Sequence, residues 1–413
     1  MRYRRPATSR KGHPPVQPPY HRQPLPIHSD RLDQVIDREI AAARIVGTVV
    51  SVMQAGQLIY QRAAGMADAE SSRPMTTNAI FRLASITKPV VALTAMRLVE
   101  AGLIRLDDPV TRWLPDFKPA LADGTVPVIT LAQLMSHTAG LRYRFQDQQQ
   151  FPELDQSSWQ QSDGLAEPGI TMADNLARIT ATPLAFAPGQ GWRYSVGMDV
   201  LGAVLEAASG TSLPDLVRRL ISAPLGLADL DFVARDEARL TTAYIDAPEG
   251  DPGQSDQVGR PVAMTAGART GWGPLTLTFD PDRWRHPDSF PSGGAGMLGC
   301  ASDVLSVLEL IRRGGAPLLT PGSIAEMARP HAGAEARTQG PGWGFGLGFA
   351  VLCDPVAAKS PQAAGTLQWG GVYGHRWFID PLRDLTVVTL TNTAVEGMAG
   401  RLPGAIRDAV YGL

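Results

Sequence analysis

Strand-like patterns sit at the two ends of this 413-residue chain, and the long middle is helical and loop-rich. Thr48-Val-Val-Ser-Val-Met53 and Gln57-Leu-Ile-Tyr-Gln-Arg62, joined by Ala55-Gly56, predict a β-hairpin. Far along the chain, 343–352, 366–371, 375–379 and 385–391 also read as strands, the last two joined by Asp380-Pro381. Between the ends, 131–135, 172–179, 200–208 and 213–221 carry helical spacing. Strands at both ends with helices between predict one sheet closed by the two termini, with a helical region inserted. The expected division is 29–110 with 291–413 as one α/β part, 111–290 as the insertion, and 1–28 as a disordered tail.

The tail expectation rests on composition. Residues 1–28 are rich in Pro and Arg, lack acidic residues and have no apolar stretch of the kind a secretory signal needs. Its histidines, His13, His21 and His28, receive no role. Ser29 or Asp30 is expected to cap a first helix that presents Leu32, Val35, Ile36 and Ile40 on one face. Residues 142–170 and 246–290 show little periodicity and read as long loops of the sort that cover substrates. Residues 303–312 form an amphipathic helix.

Bulk properties exclude several partners. A net charge of −2 and a pI near 6.4 give no basis for nucleic acid or an anionic membrane as partner. No run of 18 or more apolar residues offers a membrane span. Two cysteines, Cys300 and Cys353, make no disulfide framework and have no metal-type spacing. Both read as buried thiols of a reducing, cytoplasmic compartment.

The chemistry starts at Ser85-Ile-Thr-Lys88. Of 38 basic residues only four are lysine: Lys11, Lys88, Lys118 and Lys359. Arginine cannot give up its proton near neutral pH, whereas a buried lysine can. A chain that otherwise writes arginine has placed lysine three residues after a serine, at the start of an apolar helical run, Pro89 to Glu100. Residues i and i+3 share a helix face, and the helix start adds positive potential that favours an alkoxide. A capping serine beside an exposed lysine is the alternative.

An activated serine also needs a proton acceptor and donors for an oxyanion. Tyr194-Ser195 lies at a loop-to-helix junction, the helix expected to begin at 198–200. A phenol ordinarily ionises near 10, and a neighbouring ammonium favours the phenolate. Packed tyrosine is the plainer role. Trp369-Gly370-Gly371-Val372 has two successive glycines in a strand, which mark a bulge or a close approach of ligand or backbone. His375 reads as a base or as a strand residue bonded near the site, and His137-Thr-Ala-Gly140 as a helix end with its glycine cap. Gly294-Ala-Gly-Met-Leu-Gly299 matches a dinucleotide pattern but follows no strand. No G-x-S-x-G occurs, against an α/β-hydrolase.

Together, Ser-x-x-Lys, Tyr-Ser and the Gly-Gly strand resemble the serine β-lactamase and penicillin-binding-protein superfamily. Within it the chain resembles class C β-lactamases and, much more closely, the family VIII carboxylesterases. The closer resemblance is carried by Phe81-Arg-Leu-Ala-Ser-Ile-Thr-Lys88, Trp192-Arg-Tyr-Ser195, Pro291-Ser-Gly-Gly-Ala-Gly-Met297, Gly340-Pro-Gly-Trp-Gly-Phe-Gly346 and Leu367-Gln-Trp-Gly-Gly-Val-Tyr-Gly-His375. It extends from about residue 30 to the C-terminus.

The resemblance implies an α+β fold, an antiparallel sheet flanked by helices with a mostly helical inserted region. It implies Ser85 as nucleophile, Lys88 as its charge partner and Tyr194 as general base. The Ser85 and Val372 amides would form the oxyanion hole, with Trp369, Gly370, Gly371 and His375 binding substrate. No cofactor or metal is implied. Two departures separate the chain from β-lactamases: Val196 stands where they have Asn, and Trp369-Gly370-Gly371 where they have Lys-Thr-Gly. Replacing a cation by an indole removes a charge-assisted contact of about 1.5–3 kcal/mol to a β-lactam carboxylate. The expected activity is hydrolysis of short-chain carboxylic esters through an acyl-enzyme. The alternatives are acyl transfer from the same intermediate, or a β-lactamase or penicillin-binding sensor.

Overall fold

The computed structural model describes residues 25–146, 163–246, 260–273 and 275–413. The first strands are β1 (Gly47–Gln54), β2 (Gln57–Asp68) and β3 (Arg73–Pro74). Six short strands follow: β4 (Phe81–Arg82), β5 (Tyr244–Asp246), β6 (Pro261–Ala263), β7 (Ala268–Trp272), β8 (Leu275–Phe279) and β9 (Leu298–Gly299). The last five are β10 (Trp343–Phe345), β11 (Ala350–Leu352), β12 (Leu367–Gly371), β13 (His375–Asp380) and β14 (Leu385–Thr391).

One antiparallel sheet runs β10-β11-β12-β13-β14-β1-β2-β3. The two chain ends meet at its centre, where Thr48 of β1 faces Thr391 of β14 and Gln54 faces Leu385. Both strands are buried along nearly their whole length, which is why their sequences are apolar runs more than alternations.

Helices cover both faces. On one, α1 (Ser29–Ala41) and the helix Arg401–Val410 insert Leu32, Ile36, Leu402 and Ile406 against Val50, Phe378 and Val387. On the other, α2 (Thr87–Glu100) and the helix Ala301–Arg312 pack with Val49, Trp377 and Val388. Each fully buried aliphatic side chain contributes roughly 1.5–3 kcal/mol. α2 is buried on nearly every side, as an almost wholly apolar helix must be.

Several expected boundaries differ. α1 begins at Ser29, with His28 at the N-cap and no side-chain cap, so neither Ser29 nor Asp30 caps it. The single strand expected over 343–352 is two, β10 and β11, paired antiparallel around the Gly346–Phe349 turn. The stretch from 246 to 290 is not featureless: β5 pairs with β6 and β7 with β8. The expected helix 213–221 is α-helical from Leu213 to Val217 and continues as a π-helix over Arg218–Ser222. The remaining parts of the expected loops, and residues 1–24 of the expected tail, lie outside the described residues. Cys300 is buried but Cys353 only half-buried, and both are free thiols. No helix among the described residues is long and apolar enough to cross a membrane.

Candidate active site

Ser85 stands on a tight 3-10 turn, Ala84–Ile86, which runs directly into α2. Ala84 has a φ of +47°, the left-handed region that alanine avoids, at a cost of about 1–3 kcal/mol. The turn persists because its surroundings fix it: Leu83 and Ala84 are buried, and the Leu83 N–H donates to the Met297 carbonyl at 2.9 Å.

One helical turn on, Lys88 enters the interior fully buried. An ammonium has three donors, and all three are met. Lys88 Nζ donates to Ser85 Oγ at 3.1 Å, to Tyr143 Oη at 3.2 Å and to the Gly294 carbonyl at 2.8 Å. The serine–lysine pair expected from the i, i+3 spacing is therefore made.

Tyr194 comes from the segment before the helix Gly197–Ser209, which starts just ahead of the expected position. Its Oη lies 2.6 Å from Ser85 Oγ, and its ring centroid 4.6 Å from Lys88 Nζ. The cation thus sits over the face of the tyrosine, an attractive arrangement. Three rings hold the phenol in place: His137 at 4.8 Å, Tyr143 at 5.0 Å and Trp369 at 5.2 Å. Trp369 Nε1 also donates to Tyr194 Oη, at 3.4 Å.

The two glycines of β12 are there for backbone approach. A Cβ on Gly371 would lie 2.4 Å from the Leu83 carbonyl oxygen, and one on Gly370 would lie 2.7 Å from that of His375. The strand end is thereby pressed against the turn that carries Ser85. Val372 follows it with its carbonyl pinned by the Val395 N–H at 3.0 Å. β11 pairs with β12 only at Leu367 and Gln368, so the Trp369–Gly371 edge on that side is left for the cavity.

That cavity measures about 1140 Å³. Ser85, Tyr194, Trp369, Gly370 and Val372 all line it. Gly371 and His375 do not. His375 is fully buried, its Nε2 2.8 Å from the Arg82 carbonyl oxygen and its ring edge-on to Phe81. Burial pushes its imidazole down to about 4, outweighing the backbone hydrogen bonds that favour the cation. A neutral side chain bonded behind β12 touches no ligand in the cavity, so the substrate contact expected of His375 is corrected to support of the nucleophile turn.

Several participants went unseen in the sequence. Tyr143 and the Gly294 carbonyl both bind Lys88. Burial, then the neighbouring Tyr194 and Asp199, drives the Tyr143 phenol well above its ordinary range, so it stays protonated. Asp199, from the helix Gly197–Ser209, accepts from Ser292 Oγ at 2.5 Å and from the Gly294 N–H at 3.2 Å. It holds the Ser292–Gly294 turn that turns a carbonyl to the lysine, and burial raises its own carboxyl. His137 belongs to the stretch for which the sequence predicts a glycine-capped helix end. Its own φ is +57°, so the left-handed residue next to α3 (Leu131–Met135) is the histidine itself. Buried under Tyr194, with Nδ1 3.1 Å from Ser195 Oγ, its imidazole is driven down by burial and then by Lys88. The clue available was the density of aromatic and hydroxyl residues in His137–Phe145, just after a helix.

A metal is poorly served here. Among the described residues, Asp229, Cys300 and Asp303 converge within reach of one ion. Asp229 is already paired with Arg239, and Asp303 accepts the Asp229 N–H at 3.0 Å. Burial raises the Cys300 thiol to about 11, away from the thiolate a metal needs.

The β-lactamase family profile matches residues 32–411, nearly the whole described chain. The chain belongs to the β-lactamase family. Esterase EstB of Burkholderia gladioli is 47% identical to it over 92% of this chain and 94% of its own. The structure of EstCE1, described as a hydrolase with promiscuous acyltransferase activity, superposes with a TM-score of 0.86 at 44% identity, covering 93% of this chain and 98% of its own. Unliganded simvastatin synthase from Aspergillus terreus, at 22% identity and a TM-score of 0.67 over 93% of this chain and 98% of its own, shares the fold. The resemblance to family VIII carboxylesterases is thus borne out, and this β-lactamase-family chain has the expected α+β fold.

Proposed function

We propose that the chain hydrolyses short-chain carboxylic esters through an acyl-enzyme on Ser85. The observation that carries this reading is the contact of one hydroxyl with two groups: Ser85 Oγ is 2.6 Å from Tyr194 Oη and 3.1 Å from Lys88 Nζ. Its relatives named esterase and hydrolase support the same chemistry.

The roles divide by hydrogen-bond capacity. Lys88, with its three donors engaged, directs a donor at Ser85 Oγ and lies over the Tyr194 ring, where it stabilises negative charge that develops as the proton moves. Tyr194 takes the serine proton as Oγ attacks the ester carbonyl, then returns it to the leaving alcohol. The Ser85 and Val372 N–H groups face the developing oxyanion. Water then attacks the acyl-enzyme by the same route in reverse, and Ser85 is released. No cofactor enters these steps.

Trp369 in place of a cation leaves an apolar wall against Ser85, which favours neutral groups there. A panel of p-nitrophenyl esters from C2 to C12 beside nitrocefin tests the reading. Turnover highest on the short esters, with nitrocefin feeble, is expected; preference for nitrocefin makes the chain a β-lactamase instead.

Acyl transfer is a second reading, favoured by the activity named for EstCE1. Product analysis with p-nitrophenyl acetate, with and without an added alcohol, separates it from hydrolysis. We also read 29–110 and 291–413 as one unit and 111–290 as an insertion. In support, the main-sheet strands fall within 47–74 and 343–391. The two free thiols favour a reducing, cytoplasmic setting.

A further inference from the structure

We propose that Arg376 forms an anion-binding end of the ester cavity, and that the preferred substrate carries a carboxylate remote from its ester. The proposal rests on the esterase reading and extends it to substrate class.

Arg376 sits on β13 directly opposite Gly370 of β12, and both line the cavity that holds Ser85. Successive strand residues point to opposite faces, so Arg376 and Gly370 share the face away from Trp369. The Arg376 Cδ lies 3.7 Å from where a Gly370 Cβ would be, and Met398 Cγ 2.8 Å from it. The cavity lining thus includes Ser85 and, on the face away from Trp369, Arg376.

What marks Arg376 out is its lack of a partner. Among the described residues, the other arginines lining the cavity are engaged. Arg82 donates to the Thr241 carbonyl at 2.7 Å, Arg283 to those of Gly164 and Phe290, and Arg407 to Asp408; Arg144 is also bonded. The Arg376 side chain makes no hydrogen bond or ion pair with any described residue, though it is at least half-buried. Burial, and then the like charge of Arg407, pull its guanidinium down to about 10, so it remains a cation at neutral pH. A guanidinium has five donors shaped to grip a carboxylate, and partly buried charge is normally paired. A second donor lining the cavity is also unmet: Gln362 is buried, and its Nε2 has no acceptor. An unpartnered guanidinium and an open amide donor, both lining the one cavity, call for an acceptor from outside.

This agrees with the apolar wall at Trp369. A β-lactam carries its carboxylate close to the reacting carbonyl, on the side where this chain has an indole. A longer ester with a terminal carboxylate meets the indole with its methylenes and Arg376 with its charge.

The test uses matched pairs of esters on the full chain: mono-p-nitrophenyl adipate against its neutral methyl ester, and 4-acetoxybenzoate against phenyl acetate. In wild type, at least one carboxylate-bearing member is expected to exceed its neutral twin in kcat/KM by about tenfold or more, the range of a charge-assisted contact. Arg376→Met is expected to erase that preference while leaving p-nitrophenyl butyrate turnover within about twofold and thermal stability equal or higher, since it removes an unpaired charge. Arg376→Gln serves if the Met variant does not fold. A wild-type enzyme that prefers neither anionic ester, or a preference that survives both substitutions, overturns the proposal. Wild-type protein inert toward p-nitrophenyl butyrate sinks the esterase reading itself, and the two failures are thus distinct.

Discussion

The indole N–H of Trp369 points at the phenolic oxygen of Tyr194, 3.4 Å away, so the residue that stands where β-lactamases have lysine also touches the proposed general base. At that distance the hydrogen bond is weak. It nonetheless ties substrate choice to catalysis at one side chain.

Trp369→Phe keeps an aromatic ring against Tyr194 and Phe345 while removing the N–H donor and part of the buried ring. We expect kcat on p-nitrophenyl acetate to fall by about three- to tenfold, the scale of a single neutral hydrogen bond. Trp369→Lys should shift the nitrocefin-to-acetate ratio toward nitrocefin, because the new cation attracts a carboxylate the acetate ester lacks. Steady-state kinetics on both substrates decides; an unchanged ratio means that Trp369 does not govern selectivity.

Tyr194→Phe tests the base. The ring remains between His137, Tyr143 and Trp369, so stability should change little. Loss of the phenolic oxygen should cost about 10²–10⁴ in turnover. Near-normal activity would move the base role to Lys88.

Lys88→Arg should be nearly as damaging as Lys88→Ala. The ammonium occupies a closed site between Ser85, Tyr143 and Gly294. With Lys88 fully buried and its nitrogen held at 2.8–3.2 Å by three acceptors, a longer, planar guanidinium does not fit the same contacts. Ester turnover by the two variants, with circular dichroism to confirm folding, is the check; substantial rescue by arginine contradicts it.

His375 predicts acid sensitivity. Its folded value near 4 lies below the ordinary 6.5, so between those values the unfolded chain binds a proton that the folded chain refuses. The resulting stability is fully present above about pH 6.5 and is lost as pH falls toward 4, by at most about 3 kcal/mol. The stability gap between wild type and His375→Asn, measured by urea unfolding, should therefore be wider at about pH 7.5 than at about pH 5. An equal gap would contradict the assignment of a buried neutral imidazole.

The features legible in the sequence were those written locally. Ser85 and Lys88 are three residues apart, so helix geometry alone brings them together. β1 and β14 are apolar runs of ordinary strand length. The Gly370-Gly371 pair announced a close backbone approach without saying to what. What stayed hidden depends on convergence: the Gly294 carbonyl has no side chain to read, and Tyr143 meets Lys88 only because two distant segments fold together. His375 looked like a site residue because it follows the Gly-Gly pair, but the turn after β12 returns it on β13, behind the cavity. The hairpin β7–β8 is half legible: Leu275-Thr-Leu-Thr-Phe279 alternates, but its partner Ala268-Arg-Thr-Gly-Trp272 carries no such pattern.

The most direct test of the account is to label the protein with a fluorophosphonate and locate the adduct by peptide mass spectrometry. A single adduct on Ser85, absent from Ser85→Ala and accompanied by loss of ester hydrolysis by several orders of magnitude, is the predicted result. Labelling at another serine, or a Ser85→Ala protein that keeps more than about a tenth of wild-type activity, would contradict the assignment of Ser85 as the nucleophile.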